Sequence, residues 1–126
     1  MPFKLTIVAK EESGIVHLLA EGEATTYDFS SLKKNLLAQV LGDDWLDKRI
    51  LIDFERVKYV DSSAIGWLIG SQKQLRTQGG KLVLHTVPEQ VKQVLDMLKI
   101  DRVVPIAADV SAGRALLLET PVPPSK

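Results

Sequence analysis

The stretch Arg49-Ile-Leu-Ile-Asp-Phe-Glu-Arg-Val-Lys-Tyr-Val-Asp-Ser-Ser-Ala-Ile-Gly-Trp-Leu-Ile-Gly70 constrains this chain more than any other. Ile50, Leu51, Ile52 and Phe54 form a short β-branched and aromatic run, apolar on both sides, as a strand buried between two layers requires. Glu55 to Tyr59 reads as a brief polar connection. Asp61, Ser62 and Ser63 then precede a helical pattern in which Ile65, Leu68, Ile69 and Leu75 share one side. A strand therefore hands the chain to a helix, and a carboxylate and two hydroxyls sit at the helix mouth.

Asp and Ser at that position have a plain use: they accept hydrogen bonds from the free N–H groups of a first helical turn, a cap worth about 1 kcal/mol. The same N–H groups and the positive end of the helix dipole also accommodate an added anion, so a serine here can carry phosphate without unfolding the protein. At about 100° per residue, Trp67 falls opposite the apolar stripe, beside Ser63, Gly70, Ser71 and Gln74. Either Trp67 covers the core at the helix edge, or it stands among small neighbours as the anchor of a docking face with Ser62 at its rim.

The hydrophobic strand ending in Asp53, followed by Val60-Asp61-Ser62-Ser63-Ala64-Ile65-Gly66 and an apolar helix, resembles the signature of STAS domains, and most of all the stand-alone bacterial anti-sigma factor antagonists. The resemblance runs from about Leu5 to Leu117. It also takes in the Gly79-Gly80-Lys81-Leu82-Val83-Leu84 strand and the Val91 to Ile100 segment. It implies that Ser62, the serine directly after the aspartate, is phosphorylated by an anti-sigma factor that is itself an ATP-dependent serine kinase, and dephosphorylated by a PP2C-type phosphatase. Asp61, Ser63, Ala64, Gly66, Trp67 and Thr25 are the expected partner-binding residues. Two of these depart from the family: Ala64 stands where most antagonists have glycine, and Thr25 where many have aspartate. Both lie near the expected partner face.

A length of 126 residues suits one domain with a sizeable core. Hydrophobic residues at 45% and charged residues at 25% are globular values, and 16 basic against 16 acidic side chains leave no net field to hold nucleic acid. Without cysteine there is no disulfide framework, thiolate metal site or cysteine nucleophile. The start breaks into charge too early for a signal peptide, and no apolar run reaches the length of a membrane span, so the expected location is cytoplasmic, with neither membrane nor nucleic acid as partner.

Along the chain, Phe3–Ala9 and Ile15–Ala20 read as an antiparallel hairpin turned at Glu11-Glu12-Ser13-Gly14. Asp28 or Ser30 caps a helix carrying Leu32, Leu36, Leu37 and Val40, closed by Gly42. In the next loop Trp45 pins the chain to the domain, and Asp43, Asp44 and Asp47 read more simply as an acidic surface loop than as a cation site. Lys81–His85 is a strand. Thr86-Val-Pro-Glu89 has the pattern of a capping box ahead of a helix with Val91, Val94, Leu95 and Leu98. Val103–Ile106 reads as a short strand and Asp109–Leu118 as a last helix. The tail from 119 to 126, rich in proline, reads as unstructured.

This order predicts one α/β domain over residues 1–118: a mixed sheet of about five strands with about four helices, which the resemblance places mainly on one side. Asp53, Asp61 and Ser62 all follow the central strand, at the carboxyl end where open sheets carry their sites. Catalysis is not expected. The two histidines, His17 and His85, lie in predicted strands, and Ser62 lacks a Gly-x-Ser-x-Gly elbow. A receiver-type role for Asp53 lacks the Met-Pro continuation expected after such an aspartate, and no Walker-type phosphate loop is present. The chain therefore reads as a binding module switched by phosphate, with no cofactor of its own, since ATP and magnesium belong to the kinase. The alternative is a STAS scaffold or adaptor that is never phosphorylated.

Overall fold

The computed structural model describes residues 3–24 and 35–118. Five strands, β1 (Lys4–Lys10), β2 (Ile15–Ala24), β3 (Arg49–Val60), β4 (Lys81–His85) and β5 (Ile106–Ala107), lie in the order β1-β2-β3-β4-β5. β1 is antiparallel to β2, and the remaining pairs are parallel. Among the described residues the α-helices are α1 (Leu36–Leu41), α2 (Ser62–Thr77), α3 (Glu89–Met97) and α4 (Val110–Leu118).

Strand alternation divides the core in two. Ile50, Ile52 and Phe54 of β3 face front with Leu82 and Leu84 of β4, where Leu37 of α1, Leu68 and Leu75 of α2, and Leu95 of α3 cover them. Leu51 and Val83 face back with Ile15 and Ala107, under Leu117 of α4. The expected mixed sheet with helices mainly on one side is therefore present, and α4 is the helix on the other side.

β3 is longer than the sequence pattern predicts. The stretch Glu55–Tyr59, expected as a connection, continues the strand as far as Val60. Beyond Asp53 the strand has left β4 behind and pairs with β2, itself extended to Ala24, and the register slips between Leu19 and Glu21 and again between Gly22 and Glu23. Those irregularities bring Val57 and Val60 onto the front core while Glu55, Arg56, Lys58 and Tyr59 stay in water. Polar residues in a half-solvated projecting strand look locally like a loop.

Three other expectations need correction. Thr86 does not begin a capping box: its φ is 54°, its hydroxyl lies 2.7 Å from His85 Nδ1, and its N–H is given to Ala107 O at 3.3 Å. Helix α3 starts at Glu89 behind Pro88, whose side chain offers no cap. Val103–Ile106 is not a strand, because Val103 and Val104 both return their N–H groups to Ile100 O, closing a 3-10 turn over Ile100–Arg102 and leaving two residues for β5. The buried side of α2 also differs. Ser71 and Gln72 are fully buried and Ile69 is half-exposed. Gln72 earns its place by hydrogen bonding: Nε2 donates to Leu82 O and Val103 O, both at 2.9 Å, and Oε1 accepts from Leu82 N at 2.8 Å.

Gly42 closes α1 as expected, giving its N–H to Ala38 O at 2.9 Å with φ at 95°. Trp45 is buried in a 3-10 turn over Trp45–Asp47 and does pin its loop. Gly80 meets a close approach: an added Cβ would stand 2.5 Å from Leu46 O and 2.7 Å from Lys48 O. Asp28, Ser30, Leu32 and the tail from 119 to 126 lie outside the described residues.

Candidate functional site at the start of α2

The end of β3 is held before α2 begins. Asp61 gives its N–H to Ala24 O at 3.0 Å, tying the last residue of β2 to the helix mouth. Its backbone is extended, and its Oδ1 accepts from Ser63 N at 2.9 Å and Ala64 N at 3.1 Å, while its carbonyl accepts from Ile65 N at 3.1 Å. The cap that the sequence predicts is therefore made by Asp61, and it engages two first-turn donors. Ser62, as the first helical residue, is exposed.

The expected partner residues separate into two groups. Ser62 and Gly66 are exposed, Ser63 and Asp61 are half-buried, and a Cβ added at Gly66 or Gly70 would meet nothing within 4 Å. The fold itself makes no use of the missing side chains, although glycine inside a helix costs about 1 kcal/mol relative to alanine. Ala64 is corrected: its methyl is buried in the front core, 1% exposed, so it contributes packing and not outward surface. Its methyl therefore leaves the exposed face of α2 unaltered. Thr25 lies outside the described residues.

Trp67 is half-buried at the edge of the front core. Its Nε1–H donates to Asn35 Oδ1 at 3.0 Å, and its ring meets Phe3 edge-on, with centroids 5.8 Å apart at 72°. These contacts hold Trp67 at the core edge while its side chain stays half-exposed. Asn35 was missed in the sequence pattern. Its Oδ1 also accepts from Leu37 N at 2.8 Å, capping α1, and its Nδ2 donates to Ser71 Oγ at 2.9 Å. An Asn directly before Leu-Leu-Ala-Gln-Val-Leu is a cap signal, whereas its bonds to α2 depend on tertiary packing.

Neither histidine stands at the start of α2. His17 lies on β2, opposite Leu51, and His85 ends β4 opposite Asp53, seven residues short of Val60, or roughly 20 Å along the strand. Burial pushes His85 below its ordinary range and keeps it neutral. A groove of about 570 Å3 opens between the ends of β4 and β5, against Glu55, Thr86, Pro88, Lys92 and Ile106. Among the described residues no three metal-ligating side chains converge, and Asp44 and Asp47 instead lie 3.7 and 3.9 Å from Lys48 Nζ. No helix among them is long and apolar enough to cross a membrane.

Comparison with known proteins agrees with this architecture. The anti-sigma-B factor antagonist of Bacillus subtilis (strain 168) is 25% identical over 109 residues, covering 86% of this chain and 96% of the relative. A crystal structure from Thermotoga maritima, of a protein described as a candidate anti-sigma factor antagonist, superposes with a TM-score of 0.72 at 23% identity, covering 91% of this chain and 93% of the other. The anti-sigma factor antagonist SpoIIAA in its unphosphorylated form gives a TM-score of 0.59 at 20% identity, covering 90% and 94%. The STAS domain profile matches residues 6–113, and the chain belongs to the STAS domain family.

Proposed function

We propose that this protein is an anti-sigma factor antagonist of the cytoplasm, a binding module whose unmodified form engages an anti-sigma factor and so frees a sigma factor. The observation that carries the reading is the exposed Ser62 hydroxyl at the first position of α2, next to an outer helix face left bare at Gly66. Relatives named as antagonists support the partner class. The partner is also the kinase. The bond from the γ-phosphorus of ATP to Ser62 Oγ forms as the bond to the ADP leaving group breaks and the hydroxyl proton passes to a base of the kinase; a PP2C-type phosphatase reverses the state by hydrolysis, with water taking the phosphorus and Ser62 Oγ regaining a proton.

Phosphate adds about 1.5 to 2 negative charges to a surface suited to a neutral hydroxyl. A charge left poorly paired in an interface costs several kcal/mol, and each 1.4 kcal/mol is tenfold in affinity. Release of the partner follows without unfolding. Incubation with the kinase-type anti-sigma factor, ATP and magnesium, followed by mass spectrometry, is expected to place one phosphate on Ser62 and none on the Ser62→Ala variant. Phosphate that persists in Ser62→Ala removes the assignment, and tight binding with no phosphate would make the chain an unmodified adaptor. Gly66→Ala separates binding from folding. It is expected to stabilise α2 by up to about 1 kcal/mol while weakening partner affinity at least tenfold. Unchanged affinity would take Gly66 out of the interface.

A further inference from the structure

The groove at the ends of β4 and β5 plays no part in the reading of Ser62. Glu55, which lines it, stands well before the end of β3, roughly 17 Å along the strand from the start of α2. The parallel pairing of β3 and β4 ends at Asp53 and His85, and the groove opens just beyond. Crevices past the carboxyl ends of parallel strands are where open α/β sheets take their ligands. The volume of about 570 Å3 falls within the range of small-molecule sites, roughly 300–1,000 Å3. Val87, Pro88, Ile106 and Ala107 give it an apolar wall. Thr86 sits in that wall with φ at 54°, a conformation that β-branched residues rarely adopt and that gathers at ligand clamps.

The charges around the groove are not balanced. Among the described residues Lys92 is the one cation lining it, and its Nζ is already bonded to Asp96 Oδ2 at 2.8 Å. Glu55 gives its backbone N–H to Asp53 Oδ1, but its exposed carboxylate meets no hydrogen-bond or ion-pair partner among the described residues. Asp53 and Asp109 add to the negative field at this end of the sheet, and each already accepts a backbone N–H, from Glu55 and Ala112 respectively. Glu89, in the first turn of α3, offsets the positive end of that helix. We infer that the groove binds a small organic cation, a primary monoamine on an apolar body. The ammonium pairs with Glu55, and the hydrocarbon covers Val87, Pro88 and Ile106. A charge-assisted hydrogen bond beside apolar walls is stronger than the same bond in open water. One free carboxylate matches one cationic group, and a carboxylic acid of the same shape meets Glu55 and Asp53 as like charges.

The test uses the full chain with phenethylamine as the probe, and with phenethyl alcohol and phenylacetate as its neutral and anionic counterparts, followed by amide NMR at neutral pH and low salt. The amine is expected to give saturable shifts at Glu55, Thr86, Ala107 and Ala108, with an affinity about threefold or more above that of the alcohol, and the acid to bind most weakly. Glu55→Gln is expected to bring the amine down to the level of the alcohol, whereas Lys92→Gln should not weaken it. Ala108→Phe should block all three probes. Glu55 and Ala108 are both exposed, so neither change disturbs the core. An acid that binds as well as the amine, or an amine affinity that Glu55→Gln leaves unchanged, overturns the assignment of charge. Absence of saturable shifts at the groove overturns the site. Tighter binding at the same residues by an unstructured lysine-bearing peptide would make the groove a seat for a partner's side chain and overturn the small-molecule reading. None of these readouts involves a kinase or Ser62, so the outcome is separate from the function proposed above.

Discussion

On the front of the sheet α1, α2 and α3 cover Ile50, Ile52, Phe54, Leu82 and Leu84, whereas on the back, among the described residues, α4 covers Ile15, Leu51, Val83 and Ala107. The back makes up part of the difference with polar ties. Arg114 meets the Glu11 carboxylate two-pronged at 2.8 and 2.9 Å, His17 Nε2 and Ser13 Oγ share the same carboxylate, and Lys81 Nζ reaches Leu116 O at 3.0 Å. Hydrogen bonds from Arg114 first and His17 second hold the Glu11 carboxyl down to about 2, below the usual carboxylate range. The front has buried polar groups of its own, Ser71 and Gln72, but both are neutral, Ser71 pairing with Asn35 and Gln72 with backbone. The two faces therefore answer to different insults: the front to lost packing, the back to steric crowding and to acid.

This contrast matters for function because the candidate site stands on the front helix α2. Leu68→Ala, at a fully covered point of α2, should show the largest effect: a loss of about 2–5 kcal/mol in urea unfolding, from lost transfer energy plus the cavity left behind. Partner binding should fall with it, since α2 presents Ser62. A loss below 1 kcal/mol would mean that the front is not the dominant anchor.

Gly113→Ala tests the back. An added Cβ would stand 2.5 Å from Leu51 Cδ1, so the buried Leu51 side chain or α4 must shift, at about 1–3 kcal/mol. Amide exchange should accelerate across α4 while α2 keeps its protection. Equal acceleration in both helices would make the two faces one cooperative unit.

Acid should give the smallest effect near neutrality, and it should begin on the back. His85 has a folded pKa below its ordinary 6.5, so the unfolded chain takes the proton first. The stability it contributes is present above about pH 6.5 and falls away as the pH drops through the lower folded value. Glu11 is likewise depressed, from 4.5 to about 2, so its contribution is intact above about 4.5 and is lost between there and about 2. In a pH series of urea midpoints, His85→Gln should flatten the first decline and Glu11→Gln the second. A wild-type curve that is flat from pH 7 to 3 would erase the electrostatic side of the comparison.

Much of the fold was legible because local chemistry and global packing agree. The apolar run at Ile50–Phe54, the cap residues before Ile65 and the Gly79-Gly80 break after α2 each say the same thing at both levels. Legibility failed where backbone groups were spent elsewhere. Thr86 keeps its N–H for Ala107, Val103 and Val104 bond back into a turn, and Ser71 and Gln72 are polar residues whose burial depends on partners 10 or more residues away in sequence. At the site, the cap and the serine were readable from Asp61-Ser62-Ser63. The burial of Ala64 and the tie from Trp67 to Asn35 were not, because periodicity gives a residue's angle on a helix but not which neighbour arrives there.

The sequence by itself determined the order of strands and helices, the α/β class, and the delivery of a capped hydroxyl to the start of α2, since each rests on residue type and spacing along a single segment. Only the tertiary structure decided how far β3 runs, which side of α2 is covered, and that Trp67 is tied to Asn35. These depend on contacts between segments far apart in the chain, and a linear pattern carries no record of which buried group finds which partner.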